Sequence, residues 1–431
     1  MISISYCLLS TIKADPSSDD VREECNMLEK QNSESNLAQM YAIGVIMFIL
    51  SLSSLMEVPV LPELSRELGA GATAIPLVVS AALTTVVLAQ FFTGILADRY
   101  SKRMLILGGS LVGSISSLLC VVASHWSHLA ILRVIGGLAD AVTMPVLLTT
   151  TAKLGKEHPG KFFGILRESQ GLSYAIGPLF GSVFSLVSLR APFIIDGLLS
   201  LLAFCAIFFL FGDTTKTKTD HSLKVFRGIR STVADRRVYL CLLMGISGLF
   251  GYGILYSFIP TKAALLGLKA WQIGVIMGGG ATAFSIVSYV IGTLSDRFGR
   301  YRFVIASQLL IIISGIGLMI SNGFVMLSVF YAIFCVGEST TFLLSFVYAT
   351  HLFDSRYMGT SMGVFDSLMD LSLFIAPGLA ILLYKTSGAI SPVFILVVLP
   401  AVLAFFAMIK WLPAEHKLTN GPLQSKIQQS N

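Results

Sequence analysis

The sequence predicts an all-α integral membrane protein, with twelve transmembrane helices arranged as two pseudo-symmetric bundles of six. Three observations support this class: few charges, twelve apolar windows, and a repeat that relates the two halves of the chain. Of 431 residues, 55% are hydrophobic and 13% are charged, and the mean hydropathy is +0.80. Soluble globular chains carry about 25% charged residues. The composition therefore excludes an ordinary soluble enzyme.

Twelve windows of the sequence are predicted to form the spanning helices. A helix needs about 20 mostly apolar residues to cross a bilayer and satisfies its backbone polar groups internally. The predicted helices cover residues 39–61, 73–96, 104–123, 127–150, 162–186, 191–212, 238–260, 271–294, 302–321, 324–350, 359–384 and 390–411.

The polar stretches between these windows define the domains and their orientation. We predict a disordered tail over 1–37, a first bundle over 38–212, a basic linker over 213–237, a second bundle over 238–411 and a second tail over 412–431. One set of loops holds 17 Lys and Arg residues and the opposite set holds five. Because basic loops stay cytoplasmic, both tails and the linker are predicted to be cytoplasmic.

The same loop bias accounts for the net charge of +6, so we predict no nucleic-acid partner. We expect a multi-pass monomer embedded in the lipid bilayer of the cell membrane, which is the inner membrane if the source is a Gram-negative bacterium.

An internal repeat relates the two halves at offsets of 198 and 199 residues. Asp140 falls on Glu338, and a repeat of this kind predicts two bundles related by an axis along the membrane normal, with a substrate path between them. The other matches pair Leu61-Pro62 with Ile259-Pro260, Leu68-Gly69 with Leu266-Gly267, and Gly160, Gly164 and Pro178 with Gly359, Gly363 and Pro377.

A charged motif follows predicted helix 2 and recurs after helix 8. The two copies read Gly94-x-x-x-Asp98-Arg99-Tyr-Ser101-Lys102-Arg103 and Gly292-x-x-x-Asp296-Arg297-x-Gly299-Arg300. They resemble the loop motif of the major facilitator superfamily, and the resemblance covers residues 39–411. It implies the major facilitator fold and a cytoplasmic gate, in which Asp98 approaches the start of helix 11 near Gly359. The alternative is a loop whose charges only fix orientation.

A second motif lies in predicted helix 5 and reads Ser173-x-x-x-Gly177-Pro178-x-x-Gly181-Ser182. It resembles the motif of drug:proton antiporters within the superfamily, with Ser in place of the first and last Gly, and this resemblance implies export. The alternative is a proline kink that serves packing alone.

Ionisable residues within the spans are expensive and are candidates for function. We expect Asp140 and Glu338 in the central cavity, where a carboxylate can change its protonation state, with Asp370 as the next candidate. The alternative is that Thr143, Ser339 and Thr340 cap the first two carboxylates. The nine residues are Glu57, Arg133, Asp140, Arg167, Glu168, Asp196, Glu338, Asp366 and Asp370.

Spacing suggests further roles for the remaining members of this set. Arg133, which resembles the arginine of the superfamily's helix-4 motif, lies two turns from Asp140 and is expected to form a water-bridged pair or proton relay with it. Asp366 and Asp370 share a helix face, where mutual repulsion favours storage of a proton. Arg167 is the repeat equivalent of Asp366, and a static salt bridge is the alternative.

Four of the nine ionisable residues lie nearer the helix ends. A structural role at the membrane interface, by snorkelling or pairing, is as plausible for them as function. These residues are Glu57, Arg167, Glu168 and Asp196.

Aromatic residues of predicted helix 7 complete the candidate site. Tyr252 and Tyr256 lie beside Gly251 and Gly253, and rings with hydroxyl groups suit amphiphilic substrates. Simple packing is the alternative reading of these side chains.

Together these features predict a proton-coupled secondary transporter that exports small amphiphilic molecules or drugs by alternating access. A metabolite or siderophore transporter of the same superfamily and a non-transporting membrane sensor are the alternatives. We predict no enzyme activity, no metal and no cofactor, because the sequence has no ligand spacing, nucleophile constellation or phosphate-binding loop.

Overall fold

The computed structural model describes residues 41–154, 159–210, 236–350, 352–353 and 358–411. The predicted tails 1–37 and 412–431 lie outside these residues, as does all but the last two positions of the predicted linker. We call the membrane side at which residues 210 and 236 lie the linker end, and the opposite side the distal end.

The first half of the chain supplies six helical segments. Helix α1, Tyr41–Met56, continues after a 43° bend as the short helix Leu61–Glu67. The next five are α2 at Ala74–Arg99, α3 at Lys102–Val121, α4 at Trp126–Leu154, α5 at Pro159–Phe184 and α6 at Ala191–Leu210.

The second half supplies six more. These are α7 at Arg236–Leu265, α8 at Ala270–Phe298, α9 at Arg300–Ile320, α10 at Phe324–Thr350, α11 at Met358–Ser387 and α12 at Ile395–Trp411, which follows a 3-10 turn at Ser391–Phe394. Each predicted window overlaps one of these twelve segments.

Length and composition confirm the membrane class. Within the described ranges, nine helices are long and apolar enough to cross a membrane, and a tenth span results if α1 and its bent continuation are counted together. Many large apolar side chains lie exposed on the outer helix faces, as lipid contact requires; examples are Phe92, Phe209 and Tyr289.

The repeat is visible in the backbone. Gly69 and Gly267 end the equivalent helices of the two halves with φ of +85° and +80°, a conformation that favours glycine. The two turns also share their hydrogen bonds, since each glycine N–H donates at 3.0 Å to the carbonyl three residues earlier. Arg66 donates through Nη2 to the carbonyl oxygen of Ala264, its own repeat equivalent, at 2.9 Å. This contact lies where an axis relating the two halves would cross the distal end.

Three apolar cores hold the helices together. One, at the distal end, combines side chains of both halves, such as Val60 and Leu61 with Phe258 and Ile259. The other two lie toward the linker end, and each belongs to one half, with Ile106 in the first and Phe365 in the second. The halves therefore share packing at the distal end and have separate cores at the linker end.

Besides the short helix Leu61–Glu67, which contacts α7, five described helices form the contacts between the halves. Helix α5 packs along α8, while α2 packs on α11 and on α7. The remaining close pairs join helices of the same half, including α2 with α4, α3 with α6, and α7 with α11.

Candidate functional site

A cavity of about 140 Å³ lies at the level where the two halves meet. Among the described residues, four helices of the first half line it, and α7 contributes from the second. Its wall consists of Ser51, Ser54, Leu55, Ala82, Leu83, Val86, Arg133, Asp140, Met144, Gln170, Tyr174, Tyr252 and Tyr256. Pockets for drug-sized ligands measure roughly 300–1,000 Å³, so a larger substrate requires the helices to move apart.

Asp140 is the acidic residue of this wall. Its Oδ2 accepts a hydrogen bond from Ser54 Oγ on α1 at 3.0 Å. Thr143 donates instead to the backbone oxygen of Ala139, so local capping of Asp140 is not what the structure contains. The carboxylate is therefore held by a neighbouring helix at the cavity surface.

Arg133 lies in the same wall and forms a buried ion pair with Glu57 through Nη1 and Oε2. Glu57 is 1% exposed and Arg133 is 5% exposed. Glu57 therefore does not snorkel to an interface. It lies at the bend that follows α1, and its side chain points inward toward α4. Within the described residues, the Arg133 Nε and Nη2 atoms and the Glu57 Oε1 atom have no hydrogen-bond partner.

The two tyrosines of α7 stand opposite Arg133 and Asp140. The ring centroids of Tyr252 and Tyr256 are 6.0 Å apart, and Tyr174 of α5 joins them in the wall. The aromatic surface is thus assembled from both halves of the molecule. Phe258 lies elsewhere, fully buried with its ring 5.9 Å from that of Tyr384.

Glu338 lies on α10 behind α7 rather than in the wall of this cavity. Its Cγ packs at Gly248, 3.3 Å from the position that a Cβ on that glycine would take. It is 6% exposed and lies within electrostatic range of Tyr252 and Tyr331. Its neighbours Ser339 and Thr340 donate to Phe284 and Val336 carbonyls, so they do not cap it. Asp140 and Glu338 are repeat equivalents that occupy different settings.

Asp196 was expected near an interface, and the structure buries it inside the first bundle at 6% exposure. Ser117 of α3 donates to its Oδ2, and Ser200 donates to its Oδ1 at 3.2 Å. Sequence reasoning missed this setting because the serines lie 79 residues before and one turn after the aspartate.

Asp370 of α11 forms a hydrogen bond between the two halves. Its Oδ2 accepts a hydrogen bond from Gln90 Nε2 of α2 at 3.0 Å. Asp366 lies one turn away on α11 and is partly buried. The side chains of Arg167 and Glu168 lie outside the described part of the structure, so the predicted pairing of Arg167 with Asp366 stays a prediction.

The gate motifs belong to helices rather than to loops. Gly94, Asp98 and Arg99 lie in the last turns of α2, and Gly292, Asp296 and Arg297 lie in those of α8. The expectation of a loop is wrong because the charged turn extends each helix beyond its apolar window. Apart from the exposed Arg297, the side chains of these six residues and Gly359 lie outside what the structure describes, so a latch stays a prediction.

The turns that follow the two copies close differently. Ser101 begins α3 as its N-cap, where its Oγ accepts from Met104 N at 3.2 Å. Its repeat equivalent Gly299 uses a φ of +88° before Arg300 begins α9. Arg103 donates to the carbonyl oxygen of Phe208 at 2.7 Å, which stabilises the C-terminal end of α6 in its own bundle.

The helix-5 motif packs on one face against α1. Ser173 Oγ donates to the carbonyl oxygen of Phe48 at 3.0 Å. A Cβ on Gly177 would lie 2.8 Å from Leu55 Cβ, and one on Gly181 would lie 2.7 Å from the Met56 carbonyl carbon. The two glycines therefore permit α5 to pack closer to α1 than any residue with a Cβ atom would allow.

The opposite face of the motif packs against α8 of the other half. A Cβ on Gly274 would lie 2.8 Å from Ser182 Oγ, and one on Gly278 would lie 2.9 Å from the Ala175 carbonyl oxygen. Sequence reasoning missed these two glycines, although their spacing is the small-xxx-small pattern of close helix pairs.

The short helix Leu61–Glu67 supplies a second contact that sequence reasoning missed. The Glu63 carboxylate accepts from the backbone N–H of Ala270, the first residue of α8, at 3.1 Å. Arg66 binds the last turn of α7 through Ala264. An acid at a helix N-terminus and a base at a C-terminus both complement the helix dipole. We call Glu63, Arg66, Ala264 and Ala270 the distal seal.

Known proteins resemble the chain in both sequence and structure. The Quinolone resistance protein NorA of Staphylococcus aureus (strain MSSA476) is 28% identical over 291 residues, which cover 66% of this chain and 74% of that protein. An uncharacterized MFS-type transporter of Methanocaldococcus jannaschii is 22% identical over 325 residues, which cover 74% of this chain and 83% of that protein.

Among solved structures, a bacterial homolog of the human lysosomal transporter Spinster, inward-facing and unoccupied, matches with a TM-score of 0.73 at 14% identity. The match covers 88% of this chain and 98% of that one. A mutant of the nucleoside transporter NupG matches with a TM-score of 0.71 at 14% identity, over 87% and 99% of the two chains.

A family model also matches the chain over most of its length. The family model described as Major Facilitator Superfamily matches residues 43–377, and a second match covers 266–428. The chain therefore belongs to the major facilitator superfamily and is a multi-pass membrane transporter of small molecules rather than an enzyme.

Proposed function

We propose that the protein is a proton-coupled exporter of small amphiphilic molecules. The observation that carries this proposal is the composition of the cavity wall, whose described residues include three tyrosines and one carboxylate that forms no ion pair. Arg133 is paired with Glu57, so Asp140 supplies the net charge. A site of net negative charge with aromatic surface suits cationic or neutral apolar substrates.

The coupling step follows from placing Asp140 where substrate binds. A cationic substrate and a proton compete for one carboxylate, so protonation from outside releases substrate and substrate binding from inside releases the proton. Glu338, which packs at Gly248 one turn before Tyr252 on α7, is proposed as a second coupling residue. We propose that Asp370 also takes part in proton coupling, at the contact between α2 and α11.

Alternating access is supported by the distribution of apolar cores. The halves share one core at the distal end and separate cores at the linker end. With the linker end cytoplasmic, as the loop charges predict, this arrangement corresponds to a molecule closed toward the outside. Export then requires the distal core and the distal seal to separate.

The relatives named for quinolone resistance support drug export for this chain as well. Their identity of 28% leaves substrate choice to the residues of the wall. We propose that the protein acts as a monomer in the cell membrane. We also propose that both termini are cytoplasmic, since both tails join the predicted cytoplasmic ends of the bundles.

Everted membrane vesicles test the proposal. Addition of tetraphenylphosphonium, a lipophilic cation, should release protons from vesicles that contain the wild-type chain. Asp140→Asn should abolish this movement, and Ser54→Ala, which removes only the hydroxyl donor at 3.0 Å, should weaken it. Unchanged proton movement in Asp140→Asn would refute the assignment.

One observation favours a second candidate, the transport of an anionic metabolite. The Nε and Nη2 atoms of Arg133 have no hydrogen-bond partner among the described residues, and Arg133 lines the cavity. A bidentate carboxylate ligand would satisfy both atoms. Competition by an organic carboxylate, lost in Arg133→Met but retained in Asp140→Asn, would select this candidate. The membrane-sensor alternative predicts no substrate-driven proton movement at all.

A further inference from the structure

Asp196 occupies a closely packed site between α3 and α6. Next to it, Ser114 Oγ donates to the Gly197 carbonyl oxygen at 2.7 Å. A Cβ on Gly197 would lie 2.5 Å from Leu118 Cγ, so the two helices touch at this level. The carboxylate lies in the second turn of α6 and is 6% exposed. It is therefore fixed inside the bundle and cannot reach the lipid headgroups.

The partners of Asp196 are hydroxyl groups rather than cations. Ser117 and Ser200 bind one oxygen each, and within the described residues no Lys or Arg forms an ion pair with it. A hydroxyl group donates to a carboxylate and, after rotation, accepts from a carboxylic acid. The site thus accommodates the charged and the protonated form without movement of the backbone, which a cation partner would not permit.

Two consecutive residues of α1 connect this site with the cavity. Ser53 Oγ lies 3.5 Å from Ser200 Oγ, and Ser54 Oγ donates to Asp140 Oδ2 at 3.0 Å. Asp140 lines the cavity. Asp196 lies toward the distal end and Asp140 lies deeper, as their positions in α6 and α4 require. The hydroxyl groups of α1 therefore lie between an outer and an inner carboxylate.

The other ionisable groups that interact electrostatically with Asp196 lie on two helices. They are Cys120 of α3, and Arg133 and Asp140 of α4. Arg133 is already engaged by Glu57 of α1. The charge balance of the pocket accordingly depends on how many protons the two aspartates hold.

We propose that Asp196 is a second proton carrier of the transport cycle and exchanges its proton with Asp140 through the hydroxyl groups of Ser53 and Ser54 and cavity water. The proton leaves the carboxylic acid of Asp196 and arrives on the Asp140 carboxylate, so the charge of the pair is unchanged. Asp196 thereby loads the cavity carboxylate from the distal end. This inference rests on the proposed function.

Reconstituted full-length protein tests the inference with two transport assays. The first measures tetraphenylphosphonium transport driven by a pH gradient, and the second measures exchange of the same cation without a gradient. Asp196→Asn should slow the driven transport about tenfold or more while exchange stays within about twofold, because only the first needs proton transfer. Ser53→Ala should also slow the driven transport. Ser114→Ala, which removes the hydrogen bond to Gly197 beside the site, should change neither driven transport nor exchange.

Driven transport at the wild-type rate in Asp196→Asn would overturn the inference. If Asp140→Asn then still loses driven transport, the proposed function stands and only the role of Asp196 is wrong. If Asp140→Asn also transports normally, the proposed function itself is wrong.

An infrared measurement covers the case in which the variant folds poorly or the cation is not carried. The wild-type protein should show a pH-dependent carboxylic C=O band, and Ser53→Ala/Ser200→Ala, which retains both aspartates, should change its intensity. A band that is the same in both proteins overturns the inference.

Discussion

A single methyl group on α8 should shift the protein toward a state that is open at the distal end. Gly278 faces α5 of the other half, and a Cβ there would lie 2.9 Å from the Ala175 carbonyl oxygen and 2.6 Å from Leu179 Cγ. The backbone contact is 0.5 Å short of an ordinary van der Waals contact of 3.4 Å. Leu179 can rotate, but the carbonyl oxygen of a helix cannot, so the two helices must separate in Gly278→Ala.

The expected cost follows from overpacking. Extra methyl groups in a well-packed contact cost about 1–3 kcal/mol. If the contact exists only while the distal end is closed, this energy changes the ratio of closed to open molecules by about 5- to 150-fold. The adjacent Gly279 has no atom within 4 Å of its Cβ position, so Gly279→Ala serves as the matched control and should leave the ratio unchanged.

Spin labels at the distal end measure this ratio. Gly71 and Gly323 lie in distal loops of the two halves, and both have open space at the Cβ position. Cysteines introduced there in a cysteine-free background carry the labels, and pulsed electron resonance gives the distribution of distances. Gly278→Ala should increase the long-distance fraction. An unchanged distribution, or the same change in Gly279→Ala, would refute the packing argument.

Three further predictions concern polar contacts. Glu57→Gln leaves the buried Arg133 without its counter-ion and should destabilise the protein by about 3–5 kcal/mol. Replacement of both residues by apolar ones should restore most of this stability, as measured by thermal unfolding. An equal loss of stability in the single and the double variant would contradict the prediction. Arg66→Ala removes the bond to α7 and should speed labelling of cysteines at the distal end, whereas slower labelling would argue against the seal. Gln90→Leu breaks the bond to Asp370 and should change the transport rate with little change in stability; a stability loss alone would make this contact structural.

The helices and the repeat follow from the sequence because they depend on local and periodic signals. Apolar windows of about 20 residues identify spans whatever their partners are. The repeat at offset 198 likewise pairs Gly69 with Gly267, and in the structure both glycines end equivalent helices with positive φ. The prediction fails where charges extend a helix, as with Arg99 in the last turn of α2.

The candidate site is harder to predict because its contacts join distant segments. Arg133 was expected to work with Asp140 on its own helix, yet it pairs with Glu57, 76 residues earlier. The bend after α1 brings that carboxylate inward, and a sequence pattern does not contain the angle. The prediction for Asp196 failed for a similar reason. Its position along α6 indicates how deep it lies in the membrane, but not that its side chain faces serines of α1 and α3.

These contacts also connect the cavity with the surfaces that must move. Helix α1 bears Ser54, which holds Asp140, and two residues further on its backbone at Met56 packs on Gly181 of α5. The other face of α5 packs on Gly278 of α8. Because close-packed helices do not deform continuously, a shift of α1 at the carboxylate must be absorbed by α5 and then by α8.

This chain of contacts gives the helix-5 motif a role beyond a kink. Its glycines Gly177 and Gly181 place α5 within contact distance of α1, and the opposite face of α5 packs on Gly274 and Gly278 of α8. The helix that contacts α8 of the other half therefore also follows the position of α1. Gly181→Ala should therefore uncouple the two events: substrate-induced proton movement should fall even though Asp140 and Ser54 are intact. Gly378→Ala, which has open space at its Cβ position on α11, is the control. Full coupling in Gly181→Ala, with normal folding, would show that proton and substrate are linked without α5.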